Sequence, residues 1–193
     1  MRLFVALEIP SVVRENFAAL VRDLRSVAPL VKWARSENFH ITLKFIGEVK
    51  DAKLAGIVSA LQLLCGVYVG VHNHPVNVCF RGLGFFPNEK HPRVFWAGIE
   101  ASSNLRALAS DIERATEKLG IQRKQRPFSP HLTLARFEHP RLPEKLRSAI
   151  QENAARDFGS LRTNQFHLIE SKLKSSGAEY TTVESFPFAA AEA

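Results

Sequence analysis

The stretches Phe39-His40-Ile41-Thr42-Leu43-Lys44-Phe45 and Pro130-His131-Leu132-Thr133-Leu134-Ala135-Arg136-Phe137 repeat one pattern in the two halves of the chain. Each is an apolar run with the composition of a β-strand, and alternate side chains of a strand share a face. His and Thr, two apart, therefore project together. Ile41 and Leu43, like Leu132 and Leu134, point the other way into a core. Each stretch thus offers one imidazole and one hydroxyl from an otherwise apolar strand.

The segments around these motifs also come in the same order twice. Before the first lie a strand over Leu3 to Ile9 and a helix opened by Pro10-Ser11, with Val13, Phe17, Leu20, Val21 and Leu24 at helical spacing. A short run at Val31 to Trp33 leads to the motif strand, His40 to Ile46, which stops at Gly47. Asp51 then caps a helix carrying Leu54, Ile57, Val58, Leu61 and Leu64, followed by extended runs at Val67 to Val71 and Val76 to Phe80. Before the second motif lie a strand over Arg93 to Ile99 and a helix from Ser102 or Ser103 to Gly120, with Leu105, Leu108, Ile112, Ala115 and Leu119 on one face. After it come a helix from Leu142-Pro143, carrying Leu146 and Ile150, and two extended segments, Phe158 to Glu170 and Tyr180 to Phe188, joined by a turn at Gly177.

Strands outnumber helices, which predicts an α+β fold. The duplicated order predicts a bilobal arrangement: two pseudo-symmetric lobes of antiparallel sheet, helices on the outer faces, and a central groove to which each lobe contributes one His-Thr strand. No flexible linker separates the halves, so residues 1–188 are expected to form a single bilobal domain and 189–193 a frayed tail. The glycines of Arg81-Gly82-Leu83-Gly84-Phe85-Phe86-Pro87-Asn88 form neither GxGxxG nor a Walker loop and predict a hairpin or mobile loop.

Composition bounds the function. With 46% hydrophobic and 23% charged residues the chain is an ordinary globular protein, and 26 Lys and Arg against 19 Asp and Glu leave a formal charge of +7, which suits an acidic partner. Cys65 and Cys79 lack CxxC spacing and are expected to be a buried pair of reduced thiols, which suits a cytoplasmic location. No stretch approaches the roughly 18 to 20 apolar residues of a membrane helix, so no membrane association is expected. His72, His74 and His91 have no carboxylate or thiolate partners at metal-ligand spacing, so no metal is expected. Trp33 and Trp96 are expected to be core anchors, and His139 and His167 surface or packing residues.

A single strand histidine is usually structural. Two copies, each with Thr at the same offset, are hard to explain by packing, which would accept any apolar or hydroxyl residue. Two imidazoles in one groove can serve as base and acid in an in-line displacement at phosphorus, and two threonine hydroxyls can donate to non-bridging oxygens. Continuing the alternation His40, Thr42, Lys44 places Lys44 on the same face as a further cation. The basic run Arg123, Lys124, Arg126 lies just before the second motif, where it could meet an RNA backbone.

With these motifs the sequence resembles the 2H phosphoesterase superfamily, named for two HxTx or HxSx motifs, and within it the RNA 2′,3′-cyclic phosphodiesterases, also called 2′-5′ RNA ligases. The resemblance spans almost the whole chain and includes Arg2-Leu3-Phe4-Val5-Ala6-Leu7, Pro92-Arg93-Val94-Phe95-Trp96-Ala97-Gly98 and Glu170-Ser171-Lys172-Leu173. It implies hydrolysis of an RNA 2′,3′-cyclic phosphate end to a 2′-phosphate without metal. No cofactor is expected, and the protein is expected to be a monomer. By that similarity His40 is the proton donor to the departing 3′ oxygen, His131 is the base, and Thr42 and Thr133 bind phosphate. An arginine just after the second motif belongs to the family's phosphate site. Strict alternation, however, puts Arg136 on the opposite face unless a twist or bulge turns it. Arg93 is a further family match and Phe128 a candidate base-stacking ring. Alternatives are ATP-independent joining of RNA halves through a 2′-5′ bond, and a non-catalytic RNA-binding module.

Overall fold

The structure is a computed structural model that describes residues 1–71, 74–175 and 177–189. Its strands are β1 (Arg2–Glu8), β2 (Lys32–Trp33), β3 (His40–Glu48), β4 (Val76–Phe86), β5 (Val94–Ala101), β6 (His131–Arg136), β7 (Asp157–Thr163), β8 (Gln165–Lys174) and β9 (Gly177–Pro187). The helices are α1 (Ser11–Val27), α2 (Leu54–Val71), α3 (Ser103–Glu117) and α4 (Glu144–Glu152). Among the described residues all the strands join one antiparallel sheet in the order β7-β4-β5-β6-β3-β1-β8-β9, with β2 added on β6. The sheet divides into two four-stranded halves that meet where Ile41 of β3 pairs with Leu132 of β6. The α+β class and the antiparallel halves agree with the sequence.

The helices tie the halves together. Helix α1 links β1 to β3 of one half but packs on β7 of the other, and α3 links β5 to β6 yet packs on β3. The apolar stripe of α1 explains its placement: Phe17 stacks on Phe158 of β7 and meets Phe80 of β4 edge-on. One continuous core results, running through Leu3, Val5, Leu7, Ile41 and Leu43 of one half and Phe80, Phe95, Ala97, Leu132 and Leu134 of the other. Phe4, Ala6 and Ile169 form a separate small cluster, which strand alternation assigns to the opposite, groove face of the sheet.

Several expectations are corrected. Val67 to Val71 is not a strand but the last part of α2, because the stripe Ile57, Leu61, Cys65, Tyr68 keeps helical spacing and is buried throughout, and the Tyr68 hydroxyl donates to Asp111 of α3. The glycine-rich segment from Arg81 is no loop: β4 absorbs Gly82, at φ +80°, in a register shift and continues to Phe86. Gly84 is required there because a Cβ would lie 2.4 Å from the Trp96 ring. Strand β3 likewise runs past Gly47 to Glu48, and Phe158 to Glu170 breaks at Asn164 into β7 and β8, which serve different halves.

Cys79 is exposed and only Cys65 is buried, so the two thiols are not a buried pair. The window Asp51–Tyr68 is apolar and long enough to cross a membrane by length and composition, contrary to expectation. Its stripe Ile57, Leu61, Cys65 and Tyr68 is buried where α2 packs on α3 and β9, while Leu63 and Val67 on the same helix are exposed. Ala189, expected to begin a frayed tail, is buried and donates its N–H to the Asn164 carbonyl; residues 190–193 lie outside the described part.

Candidate active site

The two motif strands are held in the same register by their inner neighbours. On β1, Glu8, Leu7 and Ala6 pair with His40, Ile41 and Thr42; on β5, Gly98, Ala97 and Trp96 pair with His131, Leu132 and Thr133. Both ladders then slip by one residue at the same place, since Val5 pairs with Lys44 and Phe95 with Ala135, leaving Leu43 and Leu134 as the extra residues. Each slip is a β-bulge, which buries two successive side chains and inverts the alternation beyond it. Leu43 and Lys44 are both buried, as are Leu134 and Ala135. The face presenting His and Thr therefore continues with Phe45 on β3 and with Arg136 on β6.

Antiparallel pairing of Ile41 with Leu132 brings the four motif side chains together. Continuing that register puts Thr133 across from His40 and Thr42 across from His131. Each imidazole is oriented by its own chain. His40 Nδ1 lies 2.7 Å from the Asn38 carbonyl and His131 Nδ1 2.8 Å from the Ser129 carbonyl, two residues upstream in each case. A carbonyl only accepts, so Nδ1–H is the donor in both rings and Nε2 is the nitrogen left for chemistry. The Thr42 hydroxyl donates to His40 Nε2 at 2.9 Å when that ring is neutral.

Aromatic rings wall both imidazoles. The His40 ring centroid is 4.8 Å from Phe4 and 5.4 Å from Tyr180, and Phe86 meets His131 edge-on at 4.9 Å with Trp96 beside it. Burial consequently holds both histidines below the ordinary imidazole value of 6.5, opposed in each case by the hydrogen bond to the upstream carbonyl. Positive neighbours add to the lowering: His131, Arg136 and Arg14 for His40, and Lys124 and Arg136 for His131. Arg136 acts on both rings. The result is a site with two neutral imidazoles, two hydroxyls and a guanidinium, short of negative charge.

His40, Thr42, His131, Thr133 and Arg136 are thus brought to one face. Lys44 is not. The bulge turns it inward, where Nζ donates to Glu113 Oε2 at 2.5 Å and to the Gln122 carbonyl at 2.8 Å. Arg93 donates Nη1 to the Glu138 carbonyl, and its backbone closes onto Phe86 and Phe137, contacts that fix the end of β5. Phe128 packs against the main core and lines a crevice beside α3. Trp33 is an anchor, donating Nε1 to the Ala28 carbonyl, but Trp96 packs on the ring beside His131.

Phe4, Phe86 and Tyr180 are site neighbours that motif reading missed, since nothing in their local sequence ties them to a histidine, whereas Lys124, of the basic run before the second motif, does act on His131. His167 is buried with Nδ1 2.9 Å from Ser185 Oγ, a packing role. Among the described residues no His, Cys, Asp and Glu cluster has a metal-holding arrangement; His72 lies outside them.

A family model described as the 2′-5′ RNA ligase superfamily matches residues 11–174. An RNA 2′,3′-cyclic phosphodiesterase of Methanothermobacter thermautotrophicus is 32% identical over 186 residues, 96% of this chain and 98% of that protein. One from Archaeoglobus fulgidus is 33% identical over 186 residues, covering 96% and 99%. A crystal structure of a protein from Thermus thermophilus superposes with a TM-score of 0.75 at 32% identity, covering 97% of this chain and 98% of the other.

Proposed function

The chain belongs to the 2′-5′ RNA ligase superfamily, and from that premise we propose that it hydrolyses RNA 2′,3′-cyclic phosphate ends to 2′-phosphomonoesters by two-histidine acid-base catalysis. The observation that carries this reading is the matched placement of His40-Thr42 and His131-Thr133 on one face, with both Nδ1 atoms tied to main-chain carbonyls, so that Nε2 is the proton-transfer atom in each ring, that of His40 within hydrogen-bond distance of the Thr42 hydroxyl. The cyclic phosphate anion takes the central position. Arg136, Thr42 and Thr133 bind its non-bridging oxygens, where charge grows in the transition state.

Neutral His131 accepts a proton from water at Nε2 as the water oxygen bonds to phosphorus. The bond from phosphorus to the 3′ oxygen breaks in line, and His40, protonated at Nε2, gives that oxygen its proton. The anion itself favours the imidazolium, so substrate binding promotes the charged form that His40 needs. Protons and bonds balance without a cofactor. An RNA 5′-hydroxyl in place of water gives the joining reaction for which the family model is named. A non-catalytic RNA-binding module would have no use for two oriented Nε2 atoms. Both histidines come from one chain, in keeping with a monomer, and an RNA substrate suits a cytoplasmic setting.

The test is an oligonucleotide with a 2′,3′-cyclic phosphate end, incubated with purified protein in EDTA and the product's phosphate located by NMR. The expected result is undiminished turnover to the 2′-phosphate. A 3′-phosphate product, or no turnover, would overturn the reading.

A further inference from the structure

Next to His40, Glu8, Asn38, Ile169, Tyr180 and Thr182 help line a cavity of about 300 Å3. Its chemistry differs from that of the phosphate position. Glu8 is the cross-strand partner of His40, and its side chain shares the groove face with Phe4 and Ala6. Thr182 Oγ1 stands 3.5 Å from Glu8 Oε1. Glu37 is a second carboxylate in the wall, 3.9 Å from Arg35. Arg14, the cation lining the cavity, already donates to the carbonyls of Ser36 and Ile9. A phosphate is disfavoured here. The aromatic face of Tyr180 and the apolar Ile169 instead suit a flat ring with hydrogen-bond donors on its edge.

We propose that this cavity seats the terminal nucleoside of the cyclic-phosphate end and that Glu8 reads its base, favouring guanine. The inference rests on the proton-donor role of His40 proposed above. If His40 protonates the departing 3′ oxygen, the ribose carrying that oxygen lies on the His40 side of phosphorus and the attacking water on the His131 side. The base attached to that ribose then enters the cavity that His40 borders. An ionised carboxylate only accepts hydrogen bonds. Guanine offers N1–H and the 2-amino group side by side, matching both carboxylate oxygens. Adenine and cytosine offer one amino group beside a ring acceptor. Uracil offers one N–H between two carbonyl oxygens, which Glu8 repels. The expected order is guanine, then adenine and cytosine, then uracil.

The test compares guanosine and uridine 2′,3′-cyclic monophosphates on the wild type and on Glu8→Gln. The wild type should favour the guanosine substrate about tenfold in kcat/KM, carried by KM, the size of one bidentate contact. Glu8→Gln should bring that ratio to within about twofold. The ratio is taken within one preparation, so any loss of folded protein cancels. A wild-type ratio near one, or a ratio that survives the substitution, would overturn the assignment. Should neither substrate turn over, the catalytic reading fails separately. Calorimetric binding of guanosine and uridine 2′-monophosphates then decides the cavity: a guanosine preference lost in Glu8→Gln supports it, and equal binding overturns it.

Discussion

At the scale of single residues, the main-chain carbonyls of Asn38 and Ser129 decide which nitrogen of each histidine can act. That lock makes the rings interchangeable in form, so their roles must be separated by surroundings. His40 feels Arg14 and His131 as well as Arg136, whereas His131 feels Lys124 and Arg136. A pH dependence follows from the lowered values. The reaction needs one neutral and one protonated imidazole, and in the free protein the protonated fraction is lost as pH rises through values below 6.5. The optimum of kcat/KM, which reports free protein, should therefore lie below about pH 6.5. A bound phosphate anion favours the imidazolium, so the kcat optimum should sit at higher pH. Rate profiles on a cyclic mononucleotide check this, and a kcat/KM optimum at or above that of kcat would contradict it.

At the scale of elements, the paired bulges in β3 and β6 do what sequence alternation could not. The positions of His40, Thr42, His131 and Thr133 were legible because they precede the slip, where a period of two holds. Beyond it, strict alternation put Lys44 in the groove and Arg136 on the opposite face, against the family resemblance that kept Arg136 at the phosphate, and one extra residue in each ladder inverts both placements. Nothing in Leu43-Lys44-Phe45 marks the slip, because the partner that takes Lys44, Glu113, lies on α3. The correction has a measurable consequence. Lys44→Ala leaves the nearly buried Glu113 carboxylate without its partner and should cost about 3–5 kcal/mol of stability. Denaturation in urea measures that loss, and turnover per folded molecule should stay near wild type. A variant of full stability with strongly reduced turnover would return Lys44 to the site.

At the scale of the whole molecule, the repeated order of strand, helix, motif strand and helix made the α+β class and the paired halves readable. The exchange of helices was not. An amphipathic pattern says that Phe17 seeks a core but not that it stacks on Phe158 in the opposite half. Because α1 covers β7 and α3 covers β3, neither half keeps its core without the other. We therefore expect one cooperative unfolding transition. Trp33 and Trp96 both lie in or on the β6 half, so their fluorescence follows that half while far-ultraviolet circular dichroism follows the whole chain. The two should coincide in urea, and separated midpoints would mean that the halves unfold independently.

The same closeness of the halves is what places two imidazoles on one phosphate, and that is tested most directly by turnover of a cyclic-phosphate oligonucleotide by His40→Ala, His131→Ala and the double variant. Each single substitution should lower kcat by roughly 10²–10⁴-fold. Because the two groups act in one step, the double variant should be little worse than the poorer single one. Wild-type turnover in either single variant, or losses that simply multiply in the double variant, would contradict a concerted acid-base pair.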